Sequence, residues 1–170
     1  MFCYHNTAAP EVFLRGAGAE LTDDCIEIRL SRADYIKPAG YDTYVVRIDD
    51  ANFSEVATMH DKRNPGAYWT SERVRSSIAD WAVFAVLNGK EAAGYIMVQM
   101  RDHAQAEIYF AEAADAGQST ALLASAVEHA FLAGKAEVLF MAERSSTQHD
   151  TAISVGFRIT GYYRGFKAIV

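Results

Sequence analysis

The stretch from Asp115 to Phe140, DAGQSTALLASAVEHAFLAGKAEVLF, sets one glycine, Gly117, directly before a strongly helical run. The first amides of a helix have no partner inside it, point outward, and sit where the helix dipole favours negative charge. Gly117 tolerates a left-handed or strained backbone, and Ser119 is small enough to let an oxyanion reach the main chain. The hydroxyls of Ser119 and Thr120 add donors. The segment Gly117, Gln118, Ser119, Thr120 is therefore a candidate phosphate cradle, and an ordinary helix start is the alternative reading of the same residues. His149 precedes a second, shorter helical run. A neutral imidazole there can pass a proton near pH 7, or be an exposed loop histidine with no role.

Other chemistries find little support. The histidines stand far apart, at 5, 60, 103, 129 and 149, and no C-x-x-C spacing exists, so zinc is not expected. Cys3 and Cys25 do not make a disulfide framework. Cys25 has no neighbouring histidine or basic residue to lower its pKa and activate it. No Gly-x-Ser-x-Gly supports a hydrolase or lyase on another α/β scaffold. A formal charge of −6 with no lysine and arginine cluster argues against a nucleic-acid partner, although a local basic patch is compatible with it. The acidic balance leans weakly towards a cationic substrate such as an amine. No run reaches the length of a membrane span, and MFCYHNTAAPEV lacks the charged and apolar regions of a signal peptide, so a cytoplasmic location is expected.

The elements that must hold these residues follow from periodicity. At 170 residues and 51% hydrophobic, the chain suits one domain with a real core. CIEIRL (25–30) alternates as a strand does, and YVVRI (44–48) is a second strand candidate. Residues 53–60 have helical spacing, broken by Asn64-Pro65-Gly66, and Thr70 can cap another helix carrying Val74 and Ile78 on one face. WAVFAVL, Asn88-Gly89 and the run 92–100 predict a hairpin in which Asn-Gly takes the positive φ angles. AEIYF (106–110) is the next strand. Leu122, Leu123, Ala126, Val127, Ala130 and Phe131 give a broad buried helical face ending at Gly134. EVLFM (137–141) reads as a buried strand, 148–155 as a helix stopped by Gly156, and 157–170 as a last strand. Strand–helix–strand from 106 to 141 implies a parallel crossover beside an antiparallel hairpin. The fold class expected is α/β, a mixed, mostly antiparallel central sheet with helices on both faces.

This order resembles the GNAT superfamily of N-acetyltransferases over roughly residues 44–168. FSEVATMH matches the first helix, WAVFAVLNGKEAAGYIMVQM the hairpin and AEIYF the strand after it. STALLASAVEHAFLAG matches the cofactor helix, EVLFM the next strand, and TAISVGF the last helix with its Gly-Phe. The resemblance implies acetyl-CoA or another CoA thioester as cosubstrate, no metal, and a small-molecule or peptide amine as acceptor. It places the pyrophosphate on Gly117–Thr120, and the backbone amides of Tyr109, Phe110 and Ala111 on the thioester carbonyl, where two strands splay apart. It makes Glu107 the base that deprotonates the amine, a solvated strand glutamate being the alternative, and leaves the acid to His149 or Ser154, neither of which sits in the family's matching position. Tyr68, Trp69, Tyr95 and Tyr109 are either walls of an acceptor pocket or core. His129, beside Glu128 on the polar side of the long helix, is expected to be structural or solvated. Ala114 stands where the family pattern has Gln or Arg, Asp115 adds a negative charge, and Ala152 stands where many members have a tyrosine acid. These departures keep a second expectation open, a non-catalytic GNAT-like binding or interaction module. Residues 1–43 are read as an extension to a domain at 44–170, supplying strands or a contact between two copies.

Overall fold

Alternation at 25–30 and the apolar runs flanking Asn88-Gly89 give strands of one sheet. The computed structural model describes residues 2–5, 8–41 and 44–167. β1 (Phe2–His5), α1 (Ala8–Gly16) and β2 (Glu20–Ser31) come first, then β3 (Val45–Ile48), α2 (Ser54–Arg63) and α3 (Ser71–Ser76). β4 (Trp81–Asn88), β5 (Glu91–Gln99) and β6 (Gln105–Glu112) form a meander, followed by α4 (Ala116–Leu132), β7 (Glu137–Glu143), α5 (Thr147–Ser154) and β8 (Arg158–Lys167). The sheet order is β1-β8-β2-β7-β6-β5-β4-β3. Its pairings are antiparallel except β6–β7, the predicted crossover. β2 lies between β7 and β8, so the N-terminal residues supply an interior strand as well as the edge strand β1. The expected last strand ran to Val170; residues 168–170 lie outside the described residues, as do Asp42 and Thr43 beside the expected 43/44 boundary.

Side chains of a strand alternate between faces, and each face here is covered. Phe84, Ile96, Ile108, Val138, Phe140 and Ile28 pack under Leu122, Val127 and Phe131 of α4 and Ala152 of α5. Trp81, Val83, Tyr95 and Met97 pack on the other face with Phe53, Val56 and Val74. Burial on both faces accounts for unbroken apolar runs in β4 and β5.

The hairpin turn differs from the expectation in one residue. Asn88 pairs with Glu91 as the last strand residue, so the central pair is Gly89-Lys90, and of these only Gly89 has a positive φ, 67°. Ile78 lies in a 3-10 turn rather than on α3. Thr70 caps α3 by accepting from the Arg73 amide, as expected. α4 ends in paired bonds from the Lys135 amide to Ala130 O and from the Gly134 amide to Phe131 O, which satisfy its last carbonyls. The Gly-Phe signal has a physical cause: Gly156 stands at φ 106° against the Asp34 carbonyl, and Phe157 is buried in the core.

Candidate active site

Parallel strands β6 and β7 pair only from Gln105↔Glu137 to Ile108↔Phe140. Beyond that they follow different neighbours. β6 stays with β5 as far as Glu112, and β7 stays with β2 as far as Glu143. The sheet therefore opens into a V. At the same point the β5–β6 register shifts: Val98 pairs with Ile108 and Met97 with Phe110, leaving Tyr109 as the extra residue of a bulge. The bulge turns Tyr109 and Phe110 to the α2–α3 side together, against Trp81 and His60 respectively. Tyr109–Glu112, Phe140, Met141 and Glu143 wall a cleft of about 270 Å³, which Asn64, Ser146 and Gln148 complete. The Ala111 carbonyl faces this gap and accepts from Gln148 Nε2 at 3.3 Å. The N–H and C=O of an extended residue point to the same edge, so the Ala111 amide faces the gap as well.

Glu107 lies just below the fork, paired with Leu139 on β7. It is half-buried, and burial pushes its carboxyl above the ordinary glutamate value while the Tyr109 hydroxyl and the Arg29 guanidinium pull the other way. Trp69, Trp81 and Tyr109 meet edge to face, at centroid distances of 5.2, 5.5 and 6.5 Å, and Tyr68 extends the group from an exposed position. Of the four aromatic residues proposed as pocket walls, Tyr95 is fully buried core.

The start of α4 departs from the expected cradle. Asp115 is the N-cap, and its Oδ1 accepts from the Gln118 amide at 2.8 Å. The Ser119 amide donates to Asp115 O. Thr120 Oγ1 donates back to Ala116 O, and Gln118 Oε1 accepts from the Ala114 amide. Gly117 lies inside the first turn without a positive φ, and Ser119 is buried. The physical reason is the charge at position 115: a carboxylate on the chain occupies the Gln118 amide, one of the orphan donors that a bound phosphate would need, while the Ser119 amide is held by the Asp115 main-chain carbonyl as in any helix. Gly117 therefore keeps an amide near the helix start, while those of Gln118 and Ser119 are taken.

His149 lies in the first turn of α5 behind the N-cap Ser146. Its side chain is mostly buried rather than exposed, Nδ1 meets Asp150 at 3.1 Å, and buried Nε2 has no hydrogen-bond partner among the described residues. Tyr109, Phe110 and Ala111 line the cleft; Glu107 and His149 are not among its walls. Ala152 is fully buried, so that position carries no acid.

Residues with no sequence signal also shape the cleft. His60 is fully buried, with Nε2 at 2.8 Å from Trp69 O and Nδ1 at 3.0 Å from Tyr95 Oη. A ring nitrogen facing a carbonyl must carry the proton, so Nε2 donates and Nδ1 accepts from the tyrosine. Tyr95 in turn accepts from Asn64 Nδ2 at 2.8 Å. The chain of bonds ties the cleft wall at Asn64 to the Trp69 loop. His60, four residues after Val56 on the apolar face, was visible as a helix position only, and Gln148 carried no signal.

The remaining candidates are structural. His129 is half-buried, accepts from Arg47 at 2.9 Å, and has its pKa lowered by burial and then by that cation. Cys25 has its pKa raised by burial and by Asp23, Glu143 and Asp24, which keeps it a thiol. Among the described residues, no helix is long and apolar enough to cross a membrane, and no three metal-ligating side chains come together.

No family model and no curated protein matches this chain. Solved structures do. A GCN5-related N-acetyltransferase from Sphaerobacter thermophilus matches 96% of the chain at 13% identity and a TM-score of 0.71. One from Kribbella flavida matches 94% at 10% identity and a TM-score of 0.64. A GCN5-related glucosamine N-acetyltransferase region of a fungal multi-domain β-N-acetylglucosaminidase matches 94% at 12% identity and a TM-score of 0.68. The chain spans 59%, 63% and 22% of those three proteins. The shared feature is the fold, and this chain has the GNAT acyltransferase fold.

Proposed function

We propose that this chain transfers an acetyl or other short acyl group from a CoA thioester to a primary amine, by direct attack with both substrates bound. The observation that carries the reading is the coincidence of the bulge at Tyr109 with the parting of β6 and β7 after Ile108. Strand amides released there, at Tyr109–Ala111, are held ready for an oxygen that gains negative charge. Glu107, just below the fork, takes the proton from the attacking amine. Its half-buried carboxyl is a stronger base than an exposed one. His149, whose Nδ1 rests on Asp150 and whose buried Nε2 has no partner among the described residues, is the candidate donor to the leaving thiolate, giving its proton from Nε2 of the imidazolium form. Trp69 and Tyr109 offer the acceptor an aromatic wall. Release of free thiol from acetyl-CoA, measured against a panel of primary amines, tests the reading. Turnover that Glu107→Gln reduces supports it, and absence of CoA binding at millimolar concentration sinks it.

A second reading is a non-catalytic module on the same fold. The Asp115 cap, which occupies the Gln118 amide, favours it. Turnover abolished by Glu107→Gln excludes it.

A further inference from the structure

Capping of the α4 start by Asp115 raises the question of what would hold the phosphates of the acyl donor. Glu112 and Glu143 wall the V-shaped cleft, and Asp115 stands at the helix start, so that mouth is acidic. A larger cleft, about 540 Å³, lies between α2 and the β4–β5 hairpin. Lys62 and Arg63 line it from the last turn of α2, and Lys90 from the hairpin tip. Among the described residues, none of the three side chains has a hydrogen bond or an ion pair. Every other arginine is held by a carboxylate or a carbonyl oxygen. Glu55 and Glu91 line the same cleft and do not pair with these cations. Glu55 is seven residues before Lys62, about 10 Å along the helix axis, so the cations are gathered at the C-terminal end of α2. That end adjoins the V: Arg63 is followed by Asn64, which lines the other cleft. On the hairpin side, a Cβ built at Gly94 would meet Glu112, Ala113 and Gln118, so the strand that carries Glu91 and Ala92 runs directly beside the β6–α4 loop.

Resting on the acyl-transfer reading, we infer that Lys62, Arg63 and Lys90 bind the nucleotide phosphates of the CoA donor, in the place of a helix-start cradle whose Gln118 amide Asp115 already occupies. The pantetheine arm then lies in the V and the phosphates turn over the end of α2 into the cationic cleft. Three convergent cations attract a polyanion by charge and supply several N–H donors to its oxygens.

Calorimetry with CoA, adenosine 3′,5′-bisphosphate, inorganic pyrophosphate and phosphate-free pantetheine separates the terms. In the double variant Lys62→Ala/Lys90→Ala, CoA and the bisphosphate should bind at least tenfold more weakly, with a shallower salt dependence, while pantetheine binding is unchanged. Both side chains are exposed, and the single reversal Lys90→Glu at the hairpin tip gives an independent check with the same sign. Pyrophosphate should compete with CoA in the wild type. If CoA binds and ignores both lysines, the cationic cleft is overturned and acyl transfer stands. If pyrophosphate binds through the lysines without competing with CoA, the cleft serves a separate phosphorylated ligand and the assignment to the donor is overturned. If neither CoA nor pantetheine binds, the acyl-transfer reading falls and takes this one with it.

Discussion

Replacing Gly156 by alanine tests the packing that sets α5 against the sheet. Gly156 has φ 106°, and a Cβ built there overlaps the Asp34 carbonyl oxygen and stands 3.1 Å from its carbon. Carbon atoms in good contact sit about 3.5–4.0 Å apart, so the 32–34 turn must retreat by roughly 1 Å. That retreat strains the bond from the Ile36 amide to Val155 O, 2.9 Å, and the Arg158–Asp34 pair, 2.5 Å. A left-handed non-glycine residue costs about 1–2 kcal/mol, overpacking about 1–3, and a lost hydrogen bond about 1. The sum, about 3–6 kcal/mol, is a large part of a typical stability of about 5–15 kcal/mol. Urea unfolding followed by circular dichroism should show that loss, with a fall in Tm of roughly 10–20 °C for a domain of this size. Because Gln148 of α5 holds the Ala111 carbonyl, any CoA binding should weaken as well. A loss below about 1 kcal/mol, under the smallest of the three contributions, would refute the argument.

Three further outcomes are expected. Glu107→Gln should lower kcat/KM about 10²–10⁴-fold and remove the acid limb of the pH profile. That limb should lie above the ordinary glutamate pKa, because burial raises it and the base form appears only as pH rises through the raised value. The same shift disfavours the charged fold, so Glu107→Gln should melt higher than wild type at pH 8 and level with it at pH 4. Gly94→Ala places a Cβ 2.8 Å from Glu112 O and 3.0 Å from Gln118 Oε1, and should cost about 1–3 kcal/mol in urea titration; equal or greater stability would contradict the packing. His129 has a lowered pKa, so its neutral form supports the fold above the unfolded value of 6.5, and that support is lost as pH falls through the depressed value. His129→Gln should flatten the acid side of a stability-against-pH curve measured between pH 7 and 5.

Local chemistry along the chain determined most of the elements. Period-two alternation at 25–30, the apolar runs around Gly89 and the broad stripe from Leu122 to Phe131 each specify a strand or helix through burial of one face. Gly134 and Gly156 mark ends because the backbone there is left-handed. Even the crossover from 106 to 141 was legible, since a helix must separate parallel neighbours. The tertiary structure decided what no local pattern encodes. β6 and β7 part after Ile108 because β6 keeps its ladder with β5 while β7 keeps its own with β2, a strand more than a hundred residues away in the chain. Asp115 looked like a charge in the path of a phosphate and is the cap that satisfies Gln118, a role fixed by where its side chain turns. Lys62 and Arg63 are neighbours in the sequence, and Lys90 stands well apart from them. They become one group only because α2 lies across the hairpin, and electrostatic fields add by distance in space rather than by position along the chain.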